Sequence, residues 1–113
     1  MKSPEERIRE LINLTKALRA EGGCPWDRKQ TFESLRHLTI EEVYELSDSL
    51  LSGNSDEIKN ELGDILLHII FYATIASENE FFNLYDVSES ISNKLINRHP
   101  HVCLLYTSDA ADE

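Results

Sequence analysis

An all-α bundle of four helices is the fold class this sequence predicts. Three observations carry the expectation: apolar residues recur at three- and four-residue spacing in four segments, capping residues stand at the heads of those segments, and no run alternates with the period of two expected of a half-buried strand. At 113 residues the chain is long enough for one domain of about 100–200 residues and too short for two.

The elements follow in order. Ser3-Pro4-Glu5-Glu6 reads as a capping box with proline at the first helical position, and Ile8, Leu11, Ile12, Thr15 and Leu18 then share one face of a first helix over 4–20. Two glycines and a proline in Glu21–Asp27 end it and predict a loop. Thr31 caps a short helical start. Thr39-Ile40-Glu41-Glu42 offers a second capping box, from which Val43, Leu46 and Leu50 carry a second helix to about Leu51. After a turn at Ser52–Ser55, Asn54 with Glu57 heads a third helix. Its Ile58, Leu62, Ile65, Leu66, Ile69, Ile70 and Ala73 form a face broad enough to be covered on more than one side. Asn83 with Asp86 heads the fourth, where Val87, Ile91 and Leu95 recur until Pro100 prevents continuation.

Charge excludes some functions. Lys and Arg number 11 against 21 Asp and Glu, for a formal net charge of −10, which opposes the phosphates of nucleic acid and of anionic membranes. We therefore expect no nucleic-acid partner and no membrane partner. A hydrophobic content of 41% is too high for a wholly disordered chain. Two cysteines, Cys24 and Cys103, make no disulfide framework and suit a reducing compartment. The acidic residues after Met1 do not resemble a signal peptide, and the longest apolar stretch, Ile65–Ala76, falls well short of the ~20 residues that span a bilayer. The expectation is a cytoplasmic protein.

Five acids stand out. Glu41, Glu42 and Glu45 lie on the second helix, Glu61 and Asp64 on the third, and the pairs Glu42/Glu45 and Glu61/Asp64 each have the i,i+3 spacing that shares a helix face. Glu45 and Glu61 stand equally far from the intervening turn, as do Glu42 and Asp64, so an antiparallel hairpin brings four carboxylates to similar heights. Their repulsion is relieved by raised pKa values or by a cation. Oxygen-only ligands favour Mg²⁺ or Mn²⁺, and Mg²⁺ commonly works with a few carboxylates and substrate phosphates. Alternatively these are solvated faces, with Glu42 completing the cap from Thr39 and Glu61 pairing with Lys59.

The segments Gly22–Thr31 (GGCPWDRKQT), Glu41–Glu45 (EEVYE), Glu61–Asp64 (ELGD) and Arg98–Val102 (RHPHV) together resemble the MazG-type nucleoside triphosphate pyrophosphohydrolases over residues 5–102. The resemblance implies an all-α MazG-like bundle completed by dimerisation. It also implies Mg²⁺-dependent hydrolysis of nucleoside triphosphates to monophosphate and pyrophosphate. By the family's motif Glu42, Glu45, Glu61 and Asp64 are the metal ligands, with Glu41 a candidate for orienting or deprotonating water.

The remaining candidates are basic or aromatic. Arg28 and Lys29 after the glycine loop, and Lys94 and Arg98 at i,i+4 on the fourth helix, could hold phosphate oxygens or serve only solubility. Trp26 could stack on a base or plug the end of the bundle. His68, amid apolar neighbours, reads as a core or interface histidine rather than a ligand. His99 and His101 flank the helix-ending Pro100, and Cys24 reads as loop packing. Residues 103–113 depart from the family and resemble a translated sequencing adapter. The expectation is therefore a domain over 1–102, truncated at its C-terminal end, followed by a non-native, inert tail. A rival reading is a non-catalytic dimerisation or nucleotide-binding half of a longer tandem-domain protein.

Overall fold

The computed structural model describes residues 1–103, and the tail reading for 104–113 lies outside the described residues. Five helices follow in order: α1 (Pro4–Arg19), α2 (Pro25–Lys29), α3 (Phe32–Ser52), α4 (Ser55–Glu78) and α5 (Leu84–Arg98). A further helical turn occupies 100–103, and no strand occurs among the described residues. The all-α expectation holds, with α2 and the turn at 100–103 added to the four helices anticipated.

Local chemistry sets most boundaries. The Ser3 hydroxyl accepts the Glu6 N–H at 3.1 Å and heads α1, and Asn83 and Asp86 exchange both hydrogen bonds of a capping box at the start of α5. Gly53, in the left-handed region at φ 73°, closes α3, and the Asn54 side chain accepts the Glu57 N–H to open α4. Two residues thus make the α3–α4 hairpin. α1 ends at Arg19, and Gly23 in the loop that folds back on it is under tighter constraint, because a Cβ there would stand 2.3 Å from the Leu18 carbonyl oxygen.

Two expectations are corrected. Pro25–Lys29 is helical rather than a loop as far as Asp27, because Pro25 is preset for a first helical turn and the Arg28 N–H reaches the Cys24 carbonyl. Thr31 caps the whole of α3, so Thr39 starts nothing. No breaker separates the two positions, and the Thr39 hydroxyl turns back to the Leu35 carbonyl at 3.1 Å instead of capping an N–H.

The core lies where α1 and α3 pack on the C-terminal half of α4. Leu35, Phe71 and Ile75 are buried together with Leu38 and Tyr72 against them, and Thr15 of α1 is buried, as are Ile70, Ala73 and Ala76 of α4. The first two-thirds of α4 are less covered, since Leu62, Leu66 and Ile69 remain exposed. α5 buries none of its residues, and its Val87, Ile91 and Leu95 stripe is open. No helix among the described residues is long and apolar enough to cross a membrane.

Candidate metal centre

The α3–α4 hairpin carries the acids. Glu45 and Glu61 stand equally far from Gly53 on the two helices, and Glu42 lies one turn further along α3 on the same face. One carboxylate oxygen from each of Glu42, Glu45 and Glu61 falls within 4.8 Å of the other two. Three of the four expected carboxylates therefore converge. Asp64 is exposed and outside that group, yet its charge still reaches both Glu42 and His68. Glu41, the next residue on α3, is exposed on a different face.

Two of these side chains are in an unusual state. The Oε2 atoms of Glu42 and Glu61 are sealed from solvent and meet no hydrogen-bond partner. Burial, reinforced by Asp64, Glu45 and Glu61, pushes the Glu42 carboxyl up to about 7. Burial, with Glu45 next, likewise raises Glu61. An orphaned buried oxygen ordinarily costs about 1–3 kcal/mol, and two of them facing a third carboxylate make a poor structural contact. The set fits a hard divalent cation, which prefers oxygen donors and removes the repulsion. The alternative partner for Glu61 is not realised, because Lys59 pairs with Asp56 at 3.7 Å.

The basic and aromatic candidates stand apart from these acids. The Arg19 guanidinium donates to the Asp27 and Gln30 carbonyls at 2.6 and 3.0 Å and to both Glu78 oxygens, fixing α2 beside the end of α4. Glu78 lies 17 residues beyond Glu61 on α4, or ~25 Å at ~1.5 Å per residue. Arg28 and Lys29 are exposed there, and Trp26, 53% exposed, does not plug the bundle. Lys94 and Arg98 are exposed on α5, which among the described helices packs on α4. No ion pair among the described residues joins any of these cations to the acids. His99 serves the helix end, its ring Nδ1 lying 3.0 Å from the Leu95 carbonyl, His101 is exposed, and Cys24 is half-buried at the N-cap of α2.

Sequence reasoning missed a polar cluster beside the acids. Thr39 meets His68 and Tyr72 across the α3–α4 interface. The i,i+4 spacing of His68 and Tyr72 was its one visible signal.

Fold and site together define an all-α domain with an oxygen-only acidic centre between two antiparallel helices. The family model described as the MazG nucleotide pyrophosphohydrolase domain matches residues 30–103. Over 102 residues the chain is 47% identical to a nucleoside triphosphate pyrophosphohydrolase/pyrophosphatase MazG of Thermotoga maritima, covering 90% of this chain and 40% of that protein. It is 42% identical over 97 residues to a nucleoside triphosphate pyrophosphohydrolase of Escherichia coli K12, covering 85% and 37%. A protein of the same description from Mycolicibacterium smegmatis is 44% identical over 101 residues, covering 88% and 31%. The chain belongs to the MazG nucleotide pyrophosphohydrolase domain family. It spans about two-fifths or less of the length of these relatives.

Proposed function

We propose that this domain hydrolyses nucleoside triphosphates to nucleoside monophosphate and pyrophosphate with Mg²⁺, for which Mn²⁺ can substitute. The observation that carries the reading is the trio Glu42, Glu45 and Glu61, with two orphaned buried oxygens, in a chain whose relatives are named for this activity. Glu42, Glu45 and Glu61 hold the cation, and Asp64, one turn from Glu61, completes the set. When bound, the cation neutralises phosphate charge and makes the phosphorus easier to attack. Glu41, exposed beside Glu42, orients or deprotonates the attacking water. Arg28, Lys29, Lys94, Arg98 and Trp26 stand apart from the acids in the single chain, so they serve the phosphate oxygens or the base of a substrate at this centre only where a second copy brings them to it.

A homodimer goes with this reading. It is supported by the apolar side chains left exposed on α4 and α5. The partial coverage of the longer relatives favours a second reading, in which this domain binds nucleotide or dimerises without turnover.

A nucleotide panel with Mg²⁺, its products resolved by chromatography, separates the two. Monophosphate and pyrophosphate, abolished by chelator, are expected. Diphosphate and orthophosphate would overturn the reaction assigned, and binding without turnover would favour the second reading. Glu42→Gln and Asp64→Asn should each remove most activity with helical circular dichroism unchanged, because they delete charge and keep volume.

A further inference from the structure

Between the apolar core and the acid centre lies a polar cluster that neither of them explains. Thr39 precedes Glu42 by about one turn of α3, His68 follows Asp64 by one turn of α4, and Tyr72 follows His68 by another. The Thr39 Oγ1 stands 3.1 Å from the Leu35 carbonyl and 2.6 Å from His68 Nδ1, and it also contacts the Tyr72 hydroxyl. A hydroxyl has one hydrogen and two lone pairs. The Leu35 carbonyl can only accept, so it takes the hydrogen, and His68 Nδ1–H and Tyr72 O–H donate into Thr39. The hydroxyl is then saturated, and neutral His68 is held as its Nδ1–H tautomer.

The cluster is anchored at its far end. Tyr72 packs against Leu35, Phe71 and Ile75, with the Phe32 ring 5.9 Å away and the His68 ring edge-on at 6.4 Å. Ser52 to Glu57 at the turn, the carboxyl contacts of Glu61 with Glu42 and Glu45, and the bonds of Thr39 to His68 and Tyr72 are the polar side-chain links between α3 and α4 among the described residues.

The mechanical consequence follows from the neighbouring charges. The carboxyls of Glu42, Glu45 and Glu61 crowd the same interface, and apolar contacts in the core are non-directional and tolerate a slide or a twist. A one-residue slide of ~1.5 Å breaks a hydrogen bond. It would also move the Glu61 oxygen relative to those of Glu42 and Glu45, which would have to hold one cation together. We infer that Thr39, His68 and Tyr72 are positioning residues of the cation centre, holding α3 and α4 at the spacing and rotation where Glu42 faces Glu61. This inference rests on the proposal that the acids bind a divalent cation.

The test is Mn²⁺ affinity of the full chain by calorimetry, with melting temperature measured in parallel. Thr39→Val, Tyr72→Phe and His68→Leu should each weaken Mn²⁺ binding by ~10-fold or more, the scale seen when groups that orient metal ligands are removed. His68→Asn, whose amide nitrogen can replace Nδ1, should keep wild-type affinity. Arg19→Ala, at the far end of α4, should lower the melting temperature and leave Mn²⁺ affinity unchanged. If the Thr39→Val chain does not fold, Tyr72→Phe, which deletes a single oxygen, decides. Should the cluster variants lower the melting temperature with Mn²⁺ affinity intact, the cluster is packing only and the inference falls. Absence of Mn²⁺ binding by the wild-type chain would instead remove the cation reading, and the positioning role with it.

Discussion

At Glu42 a carboxyl that is pushed up to about 7 by burial and by three neighbouring acids ties stability to pH. In the folded chain it binds its proton more tightly than in the unfolded one, where the ordinary value is 4.5. Its contribution is therefore fully present below about 4.5 and is lost as pH rises through about 7, with Glu61 acting in the same direction. Allowing for solvent screening of a partly exposed group, ~1–2 kcal/mol is at stake for Glu42. In chelator the melting temperature should fall between about pH 5 and pH 8, at roughly 4–8 °C per kcal/mol for a domain of this size. Mg²⁺ competes with the same protons, so the gain in melting temperature on adding it should grow across that window. A flat melting temperature in chelator would show that Glu42 is solvated rather than confined.

On the scale of elements, α1, α2 and α4 meet at the guanidinium of Arg19, whose side chain is only 8% exposed. It bonds both Glu78 oxygens, the Asp27 carbonyl of α2 and the Gln30 carbonyl just after it, and lies 5.3 Å from the centroid of the Phe71 ring. Arg19→Ala should cost ~2–4 kcal/mol in denaturant unfolding, because it strands two carbonyls and a carboxylate. Arg19→Lys should not restore it, since an ammonium cannot replace the planar fork. Gly63 predicts the opposite sign. It sits inside α4 between Glu61 and Asp64, and a Cβ there would meet nothing within 4 Å. Gly63→Ala should raise stability by ~0.5–1 kcal/mol, and a loss instead would reveal a close approach that the single chain lacks.

These elements show what a sequence can and cannot disclose. The caps at Ser3, Thr31, Asn54 and Asn83 were legible because their chemistry is local. Thr39 offered the same local pattern and misled, since only the absence of a break from Thr31 onward tells a cap from a helix interior. α2 is five residues long, too short for periodicity to register. The acid pairs were legible from i,i+3 spacing and from equal distances to Gly53. The displacement of Asp64 from the trio was not, because spacing leaves the rotation of α4 about its own axis undetermined. Arg19 and Glu78 are 59 residues apart, and no local rule joins them.

The whole molecule is more extended than one bundle should be, with a radius of gyration of 17.0 Å against ~13 Å for a domain of about 100 residues. The excess has a counterpart in the helices, for α5 buries nothing and Leu62, Leu66 and Ile69 of α4 face outward beside a well-buried Ile70. Apolar faces of this extent on a small domain are ordinarily covered, and a second copy offers the same faces in return through a two-fold axis. The net charge of −10 on each copy opposes that association at long range, so salt should strengthen it, with screening nearly complete beyond ~8 Å at physiological ionic strength. Light scattering at micromolar concentration should accordingly give twice the 13.0 kDa chain mass, with a dissociation constant that tightens from low to moderate salt. Leu66→Asp with Ile69→Asp should return the chain to monomer without loss of helical signal, because both positions are already exposed in the single chain. A wild-type chain that scatters as a monomer at every salt concentration would refute the dimer. The Val87, Ile91 and Leu95 stripe of α5 would then stand open in the monomer.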